Sequence, residues 1–357
     1  MTNYATMVSE SLQHPPTLSL KSELIRLLWH KPKTTPILND TVQWEAYFSY
    51  YARECSAALM DEGIYVAVRT YADVLRAARL LEDEATREEV TEGLRGDLKQ
   101  QRSVSSQDRM IDGSIKLVVR LLTMVNIGAL PMEVSGRFCL PWAQGSLREA
   151  LQEYFSVPPE LDPDPKYSVM GTDFTCRNID RISGIEVVPT DNLVDHLRLM
   201  QGDRKVCVFH QVMFLKTAQA TQSILPPKLI DETLDTLTLL FPGNNRKSRR
   251  WLENDFFRNP QSIVVDRSLM SCGYFKTGHP SRRLEHYHFW RDRLGALAEA
   301  VDDATPPTKA LLKALRDRKK GDRWLNSWVA MVAIGLTVFF GLVQSIEGAI
   351  QVYKAYH

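Results

Sequence analysis

The chain has 357 residues, 44% of them hydrophobic and 24% charged, and a net charge of +1. Such a composition excludes a disordered or fibrous chain, and the near-neutral charge excludes a global electrostatic pull toward nucleic acid. Five scattered cysteines with no Cys-x-x-Cys pair exclude a disulfide framework and a cysteine-rich zinc site, and fit a reducing compartment.

Residues 1–40 contain Pro15, Pro16, Pro32 and Pro36, interrupted by the amphipathic piece KSELIRLLWH. This region reads as extended or loosely docked, and its opening lacks the basic flank and apolar run of a secretory signal. From 41 to 156 the pattern is helical. TVQWEAYFSYYARECSAALMDEG predicts a helix ending at Gly63. Tyr71, Val74, Leu75, Ala78 and Leu81 recur at helical spacing, and the charged run after them reads as a solvated helix face. SSQDRM reads as a short loop before a buried helix over IDGSIKLVVRLLTMVNIG. GSLREALQEYF reads as a short helix with Ser146 as its cap.

Pro158, Pro159, Pro163 and Pro165 mark the strongest internal boundary, and residues 157–306 read as mixed but mostly helical. DFTCRNIDRISGIEVVPT predicts two short strands joined near Ser183 and Gly184. TDNLVDHLRLM predicts a helix opened by Thr190 or Asp191, with Leu193, Leu197 and Met200 on one side. KVCVFHQVMFL is compatible with a strand or a buried helix. PPKLIDETLDTLTLLFP predicts a helix with Pro226 or Pro227 near its start and Pro242 as its stop; Ile230, Leu234, Leu237 and Leu240 point inward. NNRKSRRW reads as a basic loop, and LEHYHFWRDRLGALAEAV as an amphipathic helix anchored by Phe289, Leu294 and Leu297. There is no internal repeat.

Residues 324–346 carry no charge. A bilayer core needs about 20 mostly apolar residues in helix. Trp324 and Trp328 on one side and Tyr353 and Tyr356 on the other stand where interfacial aromatics stand. Before the run come Lys309, Lys313, Arg316, Arg318, Lys319, Lys320 and Arg323, against Asp317 and Asp322. The positive-inside rule then keeps the N-terminal body in the cytosol, and the basic flank suits anionic headgroups. The expected organisation is a loosely ordered segment (1–40), a helical region (41–156), a mixed region (157–306), a basic juxtamembrane helix (307–323), a transmembrane helix (324–346) and a short tail (347–357). That is a single-pass, tail-anchored protein of an intracellular membrane. Its expected fold class is mainly α with a small β-hairpin element. Gly341 and Ser345 are four apart, and Gly348 lies three beyond. This small-residue face suits helix contact in the membrane and a homodimer through the span, or is simply the ordinary glycine content of a membrane helix.

Motifs of chemistry are absent from the sequence. It has no P-loop, no Gly-x-Gly-x-x-Gly, no Gly-x-Ser-x-Gly, no His-Glu-x-x-His and no kinase signature, so no cofactor is expected. His286 and His288 point apart on a helix, and the Glu285–His288 spacing has no second copy, so no metal is expected either. Asp195, His196 and His210 are the weak catalytic candidates, a carboxylate and two imidazoles suited to acid–base work if their segments pack together. Against that stands a plainer role as core histidines bonded to backbone. Cys176 and Cys207 read as small buried hydrophobes. The cations of residues 246–250 suit phosphates, lipid headgroups or simply a solvated loop.

GIEVVPTDNLVDHLRLM, VCVFH, PPKLIDETLDTLTLLFP, FWRDRL and the closing TVFFGLVQSIEGAIQVYKAYH resemble a family of fungal membrane-anchored proteins of unassigned function. The resemblance covers residues 170–357 well and the first half loosely. It implies a fungal source and a membrane anchor, and brings no catalytic motif. The expected function is a membrane-tethered, non-enzymatic interaction or regulatory protein. Its expected partners are membrane lipid, a second copy and an unidentified protein, with no nucleic acid. The alternative is an enzyme of unrecognised type acting on a small membrane-delivered metabolite near Asp195, His196 and His210. A cavity lined by those three residues favours the enzyme; histidines buried against backbone favour binding.

Overall fold

Thr17 accepts the Leu20 N–H and opens helix α1, Leu18–Leu28. In this computed structural model the described residues are 9–30, 43–96, 104–128, 138–156, 166–221, 223–258, 263–274, 282–304 and 321–356. Leu20, Leu24 and Ile25 of α1 are fully buried. The N-terminal amphipathic piece is therefore packed into the core rather than loosely docked; Pro32 and Pro36 lie outside the described residues.

Helix α2, Glu45–Ala58, is followed by a single turn, Met60–Gly63, where Gly63 takes a φ of 67°. Capping boxes open α3 (Tyr71–Glu82), α4 (Arg87–Arg95) and α6 (Leu147–Phe155). In each, Thr70, Thr86 or Ser146 accepts the N–H three residues on, and a carboxylate there reaches back. The apolar stripe of α3 is buried as its spacing predicts. Between α4 and α6 runs α5, Val104–Thr123. SSQDRM forms its first turns instead of a loop, held by Asp108 to Arg95 at 2.6 Å and by Asp112 to Arg87 at 2.5 Å. Tyr47 and Tyr50 of α2 donate from their hydroxyls to the carbonyls of Leu121 and Arg120 near the end of α5.

The proline-rich stretch at 157–165 lies outside the described residues, and the chain on both sides of it belongs to one compact unit, Met1–Val301. Beyond it the predicted hairpin at Ser183–Gly184 does not form. Thr175 caps a helical turn at Cys176–Asn178, which continues as a π-turn at Ile179–Ser183. Gly184 then ends that helix with a left-handed φ of 76°, the role glycine plays at a helix C-terminus. Only the second predicted strand exists, as β1, Glu186–Thr190.

The segment predicted as a helix from Thr190 is a 3-10 turn at Leu193–Asp195 followed by β2, Leu199–Met200. Leu197 has a φ of 60°, which no α-helix accommodates. KVCVFHQVMFL divides into β3, Lys205–Phe209, and the start of α7, Val212–Ala220. The three strands order as β1-β3-β2. β1 and β3 run parallel, from Glu186 opposite Lys205 to Thr190 opposite Phe209. β2 and β3 are antiparallel, with Leu199 opposite Val206. The small hairpin is thus real but sits at 199–206, turned by Gln201, Gly202 and Asp203, all at positive φ.

Helix α8, Pro227–Leu240, matches its expected limits, with Phe241 as its cap. NNRKSRRW is not a loop: Asn245 caps α9, Arg246–Trp251, which runs on as a π-turn at Leu252–Phe256. Helix α10 (Arg291–Ala304) starts later than its apolar pattern suggests. Glu232 of α8 takes the His288 and Trp290 N–H groups at 2.7 Å each, holding residues 288–290 in a non-helical path.

The second unit, Asp302–His357, holds helix α11, Gly321–Tyr356, of 36 residues. The juxtamembrane helix expected over 307–323 falls mostly outside the described residues. Among the described residues no helix is long and apolar enough to cross a membrane, so the span expected over 324–346 is not shown.

Candidate functional site

The parallel register of β1 and β3 delivers two polar pairs side by side. Asp191 and Asn192 leave the carboxyl end of β1, and His210 and Gln211 leave that of β3. In open α/β sheets this is the edge where ligands gather. Here it is packed with side chains. Asp191 Oδ2 receives Arg53 of α2 at 2.6 Å, and Oδ1 receives Gln211 Nε2 at 2.7 Å. His210 Nε2 stands 3.1 Å from the same Oδ1, within ion-pair reach but off-axis for a hydrogen bond. Burial pushes the Asp191 carboxyl up; the adjacent His210 ring, the Arg53 guanidinium and the Gln211 amide outweigh that and hold it well below the usual carboxylate range.

His210 Nδ1 accepts the Asp266 N–H at 3.2 Å. That bond assigns the ring proton of the neutral imidazole to Nε2, on the side of Asp191. Asp266 in turn caps the start of α7 through the Met213 N–H at 2.8 Å.

The candidate residues engage separate partners. Asp195 accepts from Asn192 Nδ2 at 2.8 Å and from Arg198 at 2.6 Å. Asn192 Oδ1 accepts the Asn126 N–H, tying this turn to the segment after α5. His196 accepts the Phe209 N–H at Nδ1 (3.1 Å) and shares a 2.8 Å bond between Nε2 and Thr236 Oγ1. With Nδ1 occupied as an acceptor, Nε2 carries the proton and donates. Trp290 meets the His196 ring edge-on at a centroid distance of 4.8 Å. Burial lowers the His196 pKa to about 3, with the nearby Arg293 charge acting in the same direction.

Both histidines are 0% exposed. An acid–base catalyst needs one ring nitrogen within reach of a substrate, and in each imidazole Nδ1 is already bonded to backbone while Nε2 faces a buried side chain. What the arrangement does is mechanical: it joins α2, both parallel strands, α7 and α8. A groove of about 460 Å³ lies elsewhere, between residues 12–16 and α2, lined by Leu12, Pro15, Tyr51, Cys55, Leu59 and Tyr71. None of the three candidates lines it.

Cys176 and Cys207 are buried, as expected of small hydrophobes, and burial pushes the Cys176 thiol up. His286 and His288 are exposed, and among the described residues no group of histidine, cysteine, aspartate and glutamate side chains is placed to hold a metal. Gly341, Ser345 and Gly348 are exposed on α11. Reading the sequence missed Asp191, Gln211 and Arg53. The available signal was the polar TDN and HQ at the ends of two β-branched runs; nothing local points to Arg53. Comparison with known proteins finds no matching family, no matching curated protein and no matching solved structure.

Proposed function

We propose that this protein is a membrane-tethered, non-enzymatic interaction or regulatory protein whose cytosolic body is held at an intracellular membrane by α11. The observation that carries the reading is the exposure of apolar side chains around that helix. Val332, Ile334, Leu336, Val338, Phe339, Phe340, Leu342 and Ile346 are each at least half exposed. At about 100° between successive residues, these positions taken together point in every direction around the axis. A helix apolar on all sides is stable only when something apolar surrounds it. At 1.5 Å per residue its 36 residues reach roughly 54 Å, beyond the ~30 Å of a bilayer core. The uncharged run of 324–346 and the basic residues before it support a single span with the body in the cytosol. The resemblance of residues 170–357 to fungal membrane-anchored proteins agrees with this, and the small face of Gly341, Ser345 and Gly348 suits pairing with a second copy.

The buried, backbone-bonded histidines support a binding rather than a catalytic body. Carbonate extraction tests the anchor: the full-length protein is expected in the membrane pellet and a chain ending at Pro307 in the supernatant. Release of the full-length protein by carbonate rejects the reading.

A further inference from the structure

Helix α9 departs from two local rules of helix electrostatics. Arg246 and Lys247 occupy its first turn, at the positive end of the backbone dipole, where carboxylates are favoured. Arg246 and Arg250 are four apart and Lys247 and Arg250 three apart, so cations repel one another along the surface. The cap is neutral as well: Asn245 Oδ1 accepts the Lys247 and Ser248 N–H groups at 3.0 and 3.2 Å, where an aspartate would have offset the charge. Ser248, Trp251 and Leu252 form the buried face, which leaves Arg246, Lys247, Arg249 and Arg250 exposed. Arg249 meets Glu253 at 3.4 Å. Among the described residues no carboxylate pairs with Arg246, Lys247 or Arg250.

A face that repels itself in the isolated fold is relieved by an anionic surface. We infer that the exposed face of α9 docks the body on the anionic headgroups of a lipid bilayer. The inference rests on the anchor reading, which keeps the body beside a bilayer. A nucleic-acid site would need a longer track of cations than one short helix face. Each basic side chain held at an anionic leaflet is worth roughly fivefold in the docking equilibrium, and the interaction is screened by salt.

The test uses the full chain in lipid nanodiscs of phosphatidylcholine alone or mixed with phosphatidylserine, with the acylation rate of the Lys247 amine read by peptide mass. Lys228, exposed on α8, serves as the internal reference. Lys247 is expected to react on the order of tenfold more slowly, relative to Lys228, in the anionic discs. High salt, or the pair Arg246→Glu and Arg250→Glu, is expected to restore the rate. Equal Lys247 rates in both discs, with the chain still co-eluting with the discs, overturn the docking face and leave the anchor standing. A chain that does not co-elute with either disc removes the anchor and the docking face together. Should the double variant fold poorly, the comparison of the two lipids with the unaltered chain decides alone.

Discussion

His210 bridges Asp191 and Asp266: its Nε2 lies 3.1 Å from the Asp191 carboxylate while its Nδ1 accepts the Asp266 N–H at 3.2 Å. One fully buried imidazole therefore links the end of each parallel strand to the segment that caps α7. The same carboxylate holds Arg53, so removing it strands several groups at once. Asp191→Ala is expected to cost about 1–3 kcal/mol, the usual penalty for leaving buried hydrogen-bonding groups unsatisfied, read as a lowered urea midpoint in detergent. A loss within about 0.5 kcal/mol would show the network to be energetically neutral.

Acid sensitivity separates His196 from Asp191. The folded-state pKa of His196 is lowered to about 3, so between about 6.5 and 3 the unfolded chain binds a proton that the folded chain refuses. Stability therefore falls as pH falls through that window, by a few kcal/mol in total. Asp191, with its folded pKa depressed, contributes stability that is present above the unfolded value near 3.9 and fades only at lower pH. His196→Gln is expected to flatten the unfolding midpoint between pH 6.5 and 4, and Asp191→Asn to leave that slope in place.

Gly113 sits inside α5, where alanine is ordinarily favoured by about 1 kcal/mol. A Cβ at that position would lie 2.1 Å from the Tyr65 carbonyl oxygen. The steric cost exceeds the gain in propensity, and Gly113→Ala is expected to destabilise by about 2 kcal/mol. A raised melting temperature in this variant would mean that the Tyr65 loop yields freely.

Pairing through α11 predicts a difference between faces. Gly341→Ile separates the backbones and is expected to weaken self-association in a membrane two-hybrid reporter, while Leu336→Ile leaves it unchanged. Equal signals for Gly341→Ile and the unaltered chain would reduce the segment to a plain anchor.

Topology follows from the basic flank. In sealed vesicles, added protease is expected to digest a tag at the N-terminus and spare one placed after His357. The reverse pattern would place the body on the opposite side.

Long amphipathic helices were legible in the sequence because their cores repeat at helical spacing: Tyr71 to Leu81 and Ile230 to Leu240 are buried where the pattern puts them. Ser146 and Pro227 were legible because a cap and a first-turn proline act locally. The segment around Asp191 was not. Its polar side chains serve distant partners, and Arg53 lies 138 positions away in sequence. Residues 288–290 resist helix formation because Glu232, on another helix, claims their N–H groups. The histidines were visible as a pair of candidates, but whether their nitrogens faced solvent or backbone depended on Phe209, Thr236 and Asp266, which periodicity does not weigh.

Trp29, at the end of α1, stacks on Trp44 at 5.0 Å and meets Tyr47 and Phe214 edge-on at 5.1 and 5.9 Å. Phe214 follows Trp29 by more than half the chain. At the ~5–20 residues per second of synthesis, on the order of ten seconds pass before the ring that closes this nest exists. Throughout that interval Trp29, Trp44 and Tyr47 pack without the Phe214 edge that completes the nest. A chain that stops before Phe214 is therefore expected to leave this aromatic nest incomplete and to be more prone to aggregate than the full body.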